Sequence, residues 1–191
     1  MTTEKSVFPT LTTARMLLRE LSPADAAVLH EYWSDKAVTE FMVLNAFANI
    51  ATTARMIELL AGLAGAGAGV RWAVALRDGG RVIGTCGFHN LKAEHSRAEI
   101  GYELGKEYWG RGLMSEALRA ILRHGYEVMN FNRIEAFVNV GNARSVQLLE
   151  RLGFRLDGTL REYEYARGRF VDQHCFSLLK GDFAGSGGGS D

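Results

Sequence analysis

Cysteine is nearly absent from this chain. Two residues, Cys86 and Cys175, supply neither a disulfide framework nor a cysteine-based metal site in a protein of 191 residues. Net charge is absent as well, because 22 lysines and arginines balance 22 aspartates and glutamates. That balance removes the bulk electrostatic footprint of a protein that binds nucleic acid or an anionic membrane, and leaves only local basic patches open. No secretory leader and no long apolar run is visible, so the expected compartment is the cytoplasm, with both thiols reduced. Internal repeats are missing too.

What is present is an ordinary globular composition, 47% hydrophobic and 23% charged. One domain over residues 1–183 is expected at this length. Residues 185–191, Gly-Ser-Gly-Gly-Gly-Ser-Asp, read as an added linker or tail, so 184–191 are set aside from fold reasoning.

The chain is organised around Tyr108-Trp109-Gly110-Arg111-Gly112-Leu113-Met114. Before it, residues 97–104 alternate as a strand, with Ala98, Ile100, Tyr102 and Leu104 on one face and Glu99, Gly101 and Glu103 on the other. After it, Leu113, Met114, Ala117, Leu118, Ile121 and Leu122 repeat at helical spacing. Two glycines thus sit between a strand and the first turn of a helix. Unpaired N–H groups and the positive end of the helix dipole face outward there, and glycine lets an anion approach closely. The stretch is either a tight turn or a phosphate cradle. It is not G-x-G-x-x-G/A, because Ser115 stands at the third position, and it lacks the Gly-Lys-Ser/Thr ending of a P-loop. Dinucleotide and nucleoside triphosphate sites are therefore disfavoured.

Residues 1–10 read as an unstructured lead and 15–21 as a short strand. Ser22-Pro23-Ala24-Asp25 carries helix-start signals for a helix to about Trp33. A short helix over 36–42 and an amphipathic one over 52–63 follow, the latter running into a glycine–alanine stretch at 62–69. That stretch is expected either to be a plain surface connection or to border the entrance to a site. Residues 71–77 and 81–88 form a hairpin about Asp78-Gly79-Gly80. Strands are expected at 133–140, 155–166 and 170–179, with a short helix from Asn142 to Leu152 closed by Gly153. The order gives an α/β fold: a mixed sheet of about seven strands with helices on both faces.

Taken together, these motifs resemble the GNAT acyltransferase superfamily, in particular its Rim-type branch of ribosomal-protein N-terminal acetyltransferases. The residues that carry the resemblance are Glu99-Ile-Gly-Tyr-Glu-Leu104, Trp109 to Leu118, Asn132-Arg-Ile134, Asn142-Ala-Arg-Ser145, Leu152-Gly-Phe154, Gly158-Thr-Leu-Arg161 and Asp172. The resemblance implies splayed strands that bind acetyl-CoA, with no metal. It places the pyrophosphate on Trp109, Gly110, Arg111, Gly112, Leu113 and Met114, and the pantetheine arm on Tyr102, Glu103, Leu104 and Asn142. Asn142 could instead be only a helix cap. Two positions depart from the wider pattern. Glu107 stands where Gln or Arg is usual, and Leu149 stands where many members carry a tyrosine acid.

For catalysis the resemblance offers Ser145 as cofactor contact and hydroxyl donor to the leaving thiolate, and Glu99 or Glu103 as base. Ser145 could instead only cap a helix, and the glutamates could be a solvated strand face. His89 and His174 read as packing or rim residues. Phe41, Phe47, Tyr163 and Tyr165 read as core or acceptor-pocket lining. The implied acceptor is a protein or peptide amino terminus, such as that of a ribosomal protein, and the protein is expected to be a monomer or homodimer. A small amine such as an antibiotic or polyamine is the second reading, and an acyl-CoA-binding module without catalysis the third.

Overall fold

Eight strands form one sheet in the order β1-β2-β3-β4-β5-β6-β8-β7 in the computed structural model, which describes residues 8–186. Chain order begins with β1 (Leu11–Thr12), β2 (Met16–Glu20), α1 (Ala26–Trp33), α2 (Lys36–Thr39), α3 (Ile50–Gly65), β3 (Val70–Leu76) and β4 (Val82–Lys92). It continues with β5 (Arg97–Leu104), α4 (Leu113–Glu127), β6 (Arg133–Asn139), α5 (Ala143–Arg151), β7 (Arg155–Ala166), β8 (Arg169–Leu179) and α6 (Lys180–Ser186). The strand count exceeds the expected seven because the two-residue β1 folds back on β2, pairing Leu11 with Leu18. So short a strand carries no alternation to read. The helix α6 enters the stretch set aside as a tail, and residues 187–191 lie outside the described residues, as do residues 1–7 of the lead expected at 1–10.

Every neighbouring pair is antiparallel except β5–β6, which the α4 crossover makes parallel. That pair is short. Arg97, Ala98 and Glu99 pair with Arg133, Ile134 and Glu135, and no pairing follows. Beyond it β5 continues to Leu104 along β4, while β6 continues to Asn139 along β8. The two strands diverge, and the sheet opens toward their C-terminal ends.

Two cores flank the sheet. On one face α4 buries the periodic set expected for it, Leu113, Met114, Ala117, Leu118, Ile121 and Leu122, against Trp72, Phe88 and Ile100. Burial of such side chains contributes about 2 kcal/mol each before chain entropy is counted. Gly125 permits the close approach, since a Cβ there would lie 2.9 Å from the Phe88 ring. The helix α5 joins this core through Leu149. On the other face Leu29, Tyr32 and Trp33 of α1 and Ile57 of α3 pack on Ala73 and Ala75. Helices thus lie on both faces, as the element order requires.

Candidate active site

The Gly110–Gly112 loop lies between β5 and α4 as the sequence suggests. Both glycines take left-handed backbone, with φ of +73° and +72°, where a side chain would be strained. The first bond of α4 runs from the Glu116 N–H to the Gly112 carbonyl. The N–H groups of Leu113, Met114 and Ser115 therefore have no acceptor within the helix. Leu113 and Met114 bury their side chains, so backbone is what they offer an anion. A Cβ on Gly110 would meet no atom within 4 Å, so the space above the loop is open.

Arginines surround this loop. Arg15, just before β2, donates from Nη1 to the Arg111 carbonyl at 2.9 Å and from Nε to Glu116 at 2.6 Å. Burial pushes the Glu116 carboxyl up, but Thr13 and Arg15 outweigh it and hold the group below the usual carboxylate range. Arg111 lies over the Tyr108 ring at 5.8 Å, and Arg144 of α5 over the Trp109 ring at 3.9 Å. Trp109 also donates from Nε1 to the Leu104 carbonyl at 2.8 Å, tying the loop to the end of β5. That bond occupies one of the backbone groups expected for the pantetheine arm. The exposed Glu107 belongs to a single 3-10 turn before the loop.

Alternation along β5 sorts the remaining site residues onto the two sides of the opening. Tyr102 points toward α5, where its hydroxyl lies 2.6 Å from Ser145 Oγ. Desolvation pushes the Tyr102 hydroxyl up to about 12, although the bond to Ser145 works against the rise. Ser145 in turn gives its N–H to the Asn142 side chain at 3.2 Å, so Asn142 is the N-cap of α5. Both roles weighed for these residues rest on one arrangement, because the cap fixes the serine beside the tyrosine. The tyrosine hydroxyl was not legible in sequence, since 43 residues separate the partners.

On the opposite side Glu103 is buried and accepts from three side chains. Its Oε1 accepts from Trp33 Nε1 at 3.2 Å and from the Thr85 hydroxyl, and its Oε2 accepts from Arg71. Arg71 Nε also donates to Thr85 at 2.7 Å. Four residues away, Glu99 Oε2 lies 3.4 Å from His89 Nε2. Burial works to raise the Glu99 carboxyl, but His89, Asn90 and Arg97 together hold it low. The two glutamates therefore share a strand face but not an environment. Trp33, Arg71 and Thr85 escaped sequence reasoning because their partners are distant along the chain.

The glycine–alanine stretch ends against β4, where a Cβ on Gly69 would lie 3.2 Å from the Cα of His89, the residue paired with Glu99. Gly67 and Gly69 line a cleft with Pro9, Leu91, His124 and Met129, where β4 and α4 end and β3 begins. Residues 34–49 lie over the opening. The Phe41 carbonyl accepts from Asn139 of β6 at 3.1 Å, and the Thr39 carbonyl from Arg167 at the β7–β8 turn. Trp33, just before the segment, reaches Glu103 of β5, so the segment bridges the diverging strands. Phe47 packs edge-on against Trp33, and Tyr163 stacks on Phe137 at 5.3 Å.

Comparison with known proteins agrees with this geometry. Residues 15–155 match the acetyltransferase (GNAT) domain family. The N-acetyltransferase p20 of Bacillus licheniformis is 43% identical over 176 residues, 92% of this chain and 99% of that protein. The ribosomal protein uS5 alanine N-acetyltransferase of Escherichia coli is 33% identical over 107 residues, covering 56% of this chain and 55% of that one. The crystal structure of a GNAT-family acetyltransferase from Bacillus anthracis superposes with a TM-score of 0.81 at 25% identity, covering 91% of this chain and 99% of that one. A glycine loop at a helix start, a parallel pair that parts three residues in, and a family match across both make this chain a member of the GNAT acetyltransferases, an N-acetyltransferase that uses acetyl-CoA.

Proposed function

We propose that the protein acetylates the amino terminus of a protein or peptide in the cytoplasm. The observation that carries this reading is the separation of roles across the parted strands. One side offers paired hydroxyls and the other charged side chains, with a backbone slot between them. In that slot Gly110, Gly112 and the first N–H groups of α4 would hold the pyrophosphate, with Arg15, Arg111 and Arg144 nearby. The free backbone edge of β5 at Tyr102 and Glu103 would accompany the pantetheine arm, and Asn142 would face it. Acetyl-CoA supplies an activated acyl group at its thioester. Ser145, backed by Tyr102, is placed to protonate sulfur as it leaves. The amine arrives from the side of Glu99 and Glu103, beneath residues 34–49.

The charge on that side favours a single amine over a polyamine. Glu103 is neutralised by Arg71, and Glu99 faces His89. Glu99 is thus the one carboxylate on this strand face without a permanent cation at ion-pair distance, enough for one ammonium group and not for two. An amino terminus also has a reference pKa near 8, against about 10.4 for lysine, so more of it is neutral at pH 7. The E. coli relative acts on the alanine terminus of a ribosomal protein, by its name. Acetyl-CoA turnover should be screened against peptide amino termini, lysine peptides with blocked termini, spermidine and an aminoglycoside. The expected result is turnover with unblocked peptides. Preference for spermidine or the aminoglycoside would establish the small-amine reading, and no turnover with any amine the binding-module reading.

A further inference from the structure

We propose that His89 is the proton acceptor for the incoming amine, oriented by Glu99 in a cross-strand dyad. This rests on the amine-acetyltransferase reading above. The two side chains stand directly opposite each other on β4 and β5. His89 Nε2 faces Glu99 Oε2 at 3.4 Å. The rest of the ring lies across Gly101. A Cβ on Gly101 would sit 3.1 Å from His89 Cε1 and 3.5 Å from Nδ1. Gly101 is two residues beyond Glu99, the last residue that β5 pairs with β6, so the ring covers the strand where the opening begins. Nε2 is the ring nitrogen nearer Glu99, so in the proposed dyad it carries the proton, and the Nδ1 lone pair is left over Gly101, where among the described residues it has no hydrogen-bond partner.

The neighbours suit this role. Glu103 is buried and already holds Trp33, Thr85 and Arg71, so its carboxylate is committed to structural partners. Glu99 is held ionised, which suits a carboxylate that orients an imidazole rather than one that accepts the proton itself. The charged groups facing His89 are Glu99 and, from β3, Arg71, whose Nη1 lies 3.0 Å from the same Gly101 Cβ position; Arg97 acts on Glu99 from one strand end. The His89 side chain is 41% exposed, so a proton gained there can pass to water. Reference values favour the ring as well. Transfer from an amino terminus to an ordinary carboxylate is uphill by roughly 3,000-fold, and to an imidazole by only about 15- to 30-fold.

The step balances as follows. The acceptor ammonium loses one proton to His89 Nδ1. Its freed lone pair forms the C–N bond at the thioester carbonyl carbon, and the C–S bond breaks with its electrons on sulfur. Sulfur takes a proton from the Ser145–Tyr102 hydroxyl pair. The second N–H proton, lost as the amide forms, restores that pair through solvent. The His89 proton goes to water.

Two measurements test the dyad. In the first, kcat/KM for an alanine-terminated peptide is followed from pH 6 to 9 in wild type, His89→Gln and Glu99→Gln, with acetyl-CoA affinity measured alongside. His89→Gln should lose about 10²–10⁴-fold near pH 7. The loss should shrink as rising pH neutralises the amine without help, and acetyl-CoA affinity should be unchanged. A loss that is constant with pH, or no loss, overturns the proposal. In the second, nitrogen-15 NMR of the histidines reads the tautomer without any acceptor. His89 protonated on Nε2 in wild type, and redistributed in Glu99→Gln, is expected. A ring protonated on Nδ1 in wild type refutes the dyad even if no amine turns over. Failure of the acceptor screen with the expected tautomer present would instead fault the amine-acetyltransferase reading.

Discussion

Replacing Glu103 with alanine separates a structural carboxylate from a catalytic one. The Glu103 side chain is 6% exposed and its partner Arg71 13%, so the pair is largely removed from water. Removing the carboxylate leaves Arg71 with only the Thr85 hydroxyl, and deprives Trp33 Nε1 of its acceptor. An uncompensated buried partner of this kind costs about 3–5 kcal/mol. For a chain of this size, each kcal/mol shifts Tm by about 2–4 °C, so a fall of roughly 6–20 °C is expected. Urea unfolding followed by circular dichroism and tryptophan fluorescence measures the loss, with turnover assayed on the folded fraction. The double variant Arg71→Met/Glu103→Leu should recover most of the stability, because replacing both partners removes the unpaired charge together with the pair. A Glu103→Ala protein within about 1 kcal/mol of wild type whose turnover has collapsed would refute this account and make Glu103 the base.

Three further outcomes are expected. Gly110→Asp and Gly112→Asp should abolish acetyl-CoA binding by calorimetry while the protein stays folded, since each adds charge and bulk at left-handed positions in the anion cradle; unchanged affinity would place the cofactor elsewhere. Ser145→Ala and Tyr102→Phe should each lower kcat more than they weaken acetyl-CoA binding, by about 10²-fold or more for the serine; wild-type kcat in both would reduce the pair to a helix cap and its neighbour. At the start of α1, burial raises the Asp25 carboxyl, but two bonds from Arg19, the Ser22 N–H and the arginine charge hold it below its usual range. Its stabilisation is therefore complete above the unfolded value of about 3.9 and is lost as pH falls through the lower folded value, so Asp25→Asn should flatten the acid limb of the stability curve.

Local signals explain what could be foreseen. The α4 stripe, the Asp78-Gly79-Gly80 hairpin turn and the Gly110–Gly112 loop each depend on neighbours within a few residues, and each lies where spacing puts it. The insertion of β8 between β6 and β7 is a pairing across long separation, which alternation alone does not specify. The segment that bridges the parted strands was hidden for a related reason. A glycine–alanine stretch advertises freedom in its composition, whereas residues 34–49 owe their position to bonds from Asn139 and Arg167, far along the chain. His89 reads in sequence as a packing or rim residue because nothing adjacent reveals that antiparallel register sets it opposite Glu99.

Successive β5 side chains face opposite ways, so the residues we assign to the amine and those we assign to the departing thiol share one strand yet never compete for a position. Evolution can therefore tune either half alone. On that assignment, substitutions in residues 34–49 would change which amine is admitted while Tyr102 and Ser145 keep their contact. Changes of length are another matter. One residue inserted before Glu99 would exchange the two sets, turning the tyrosine toward the acceptor and the carboxylates into an apolar core. Diversification in such a lineage should thus come by substitution on β5 and by insertion in the bridging segment, with β5 itself keeping a constant length.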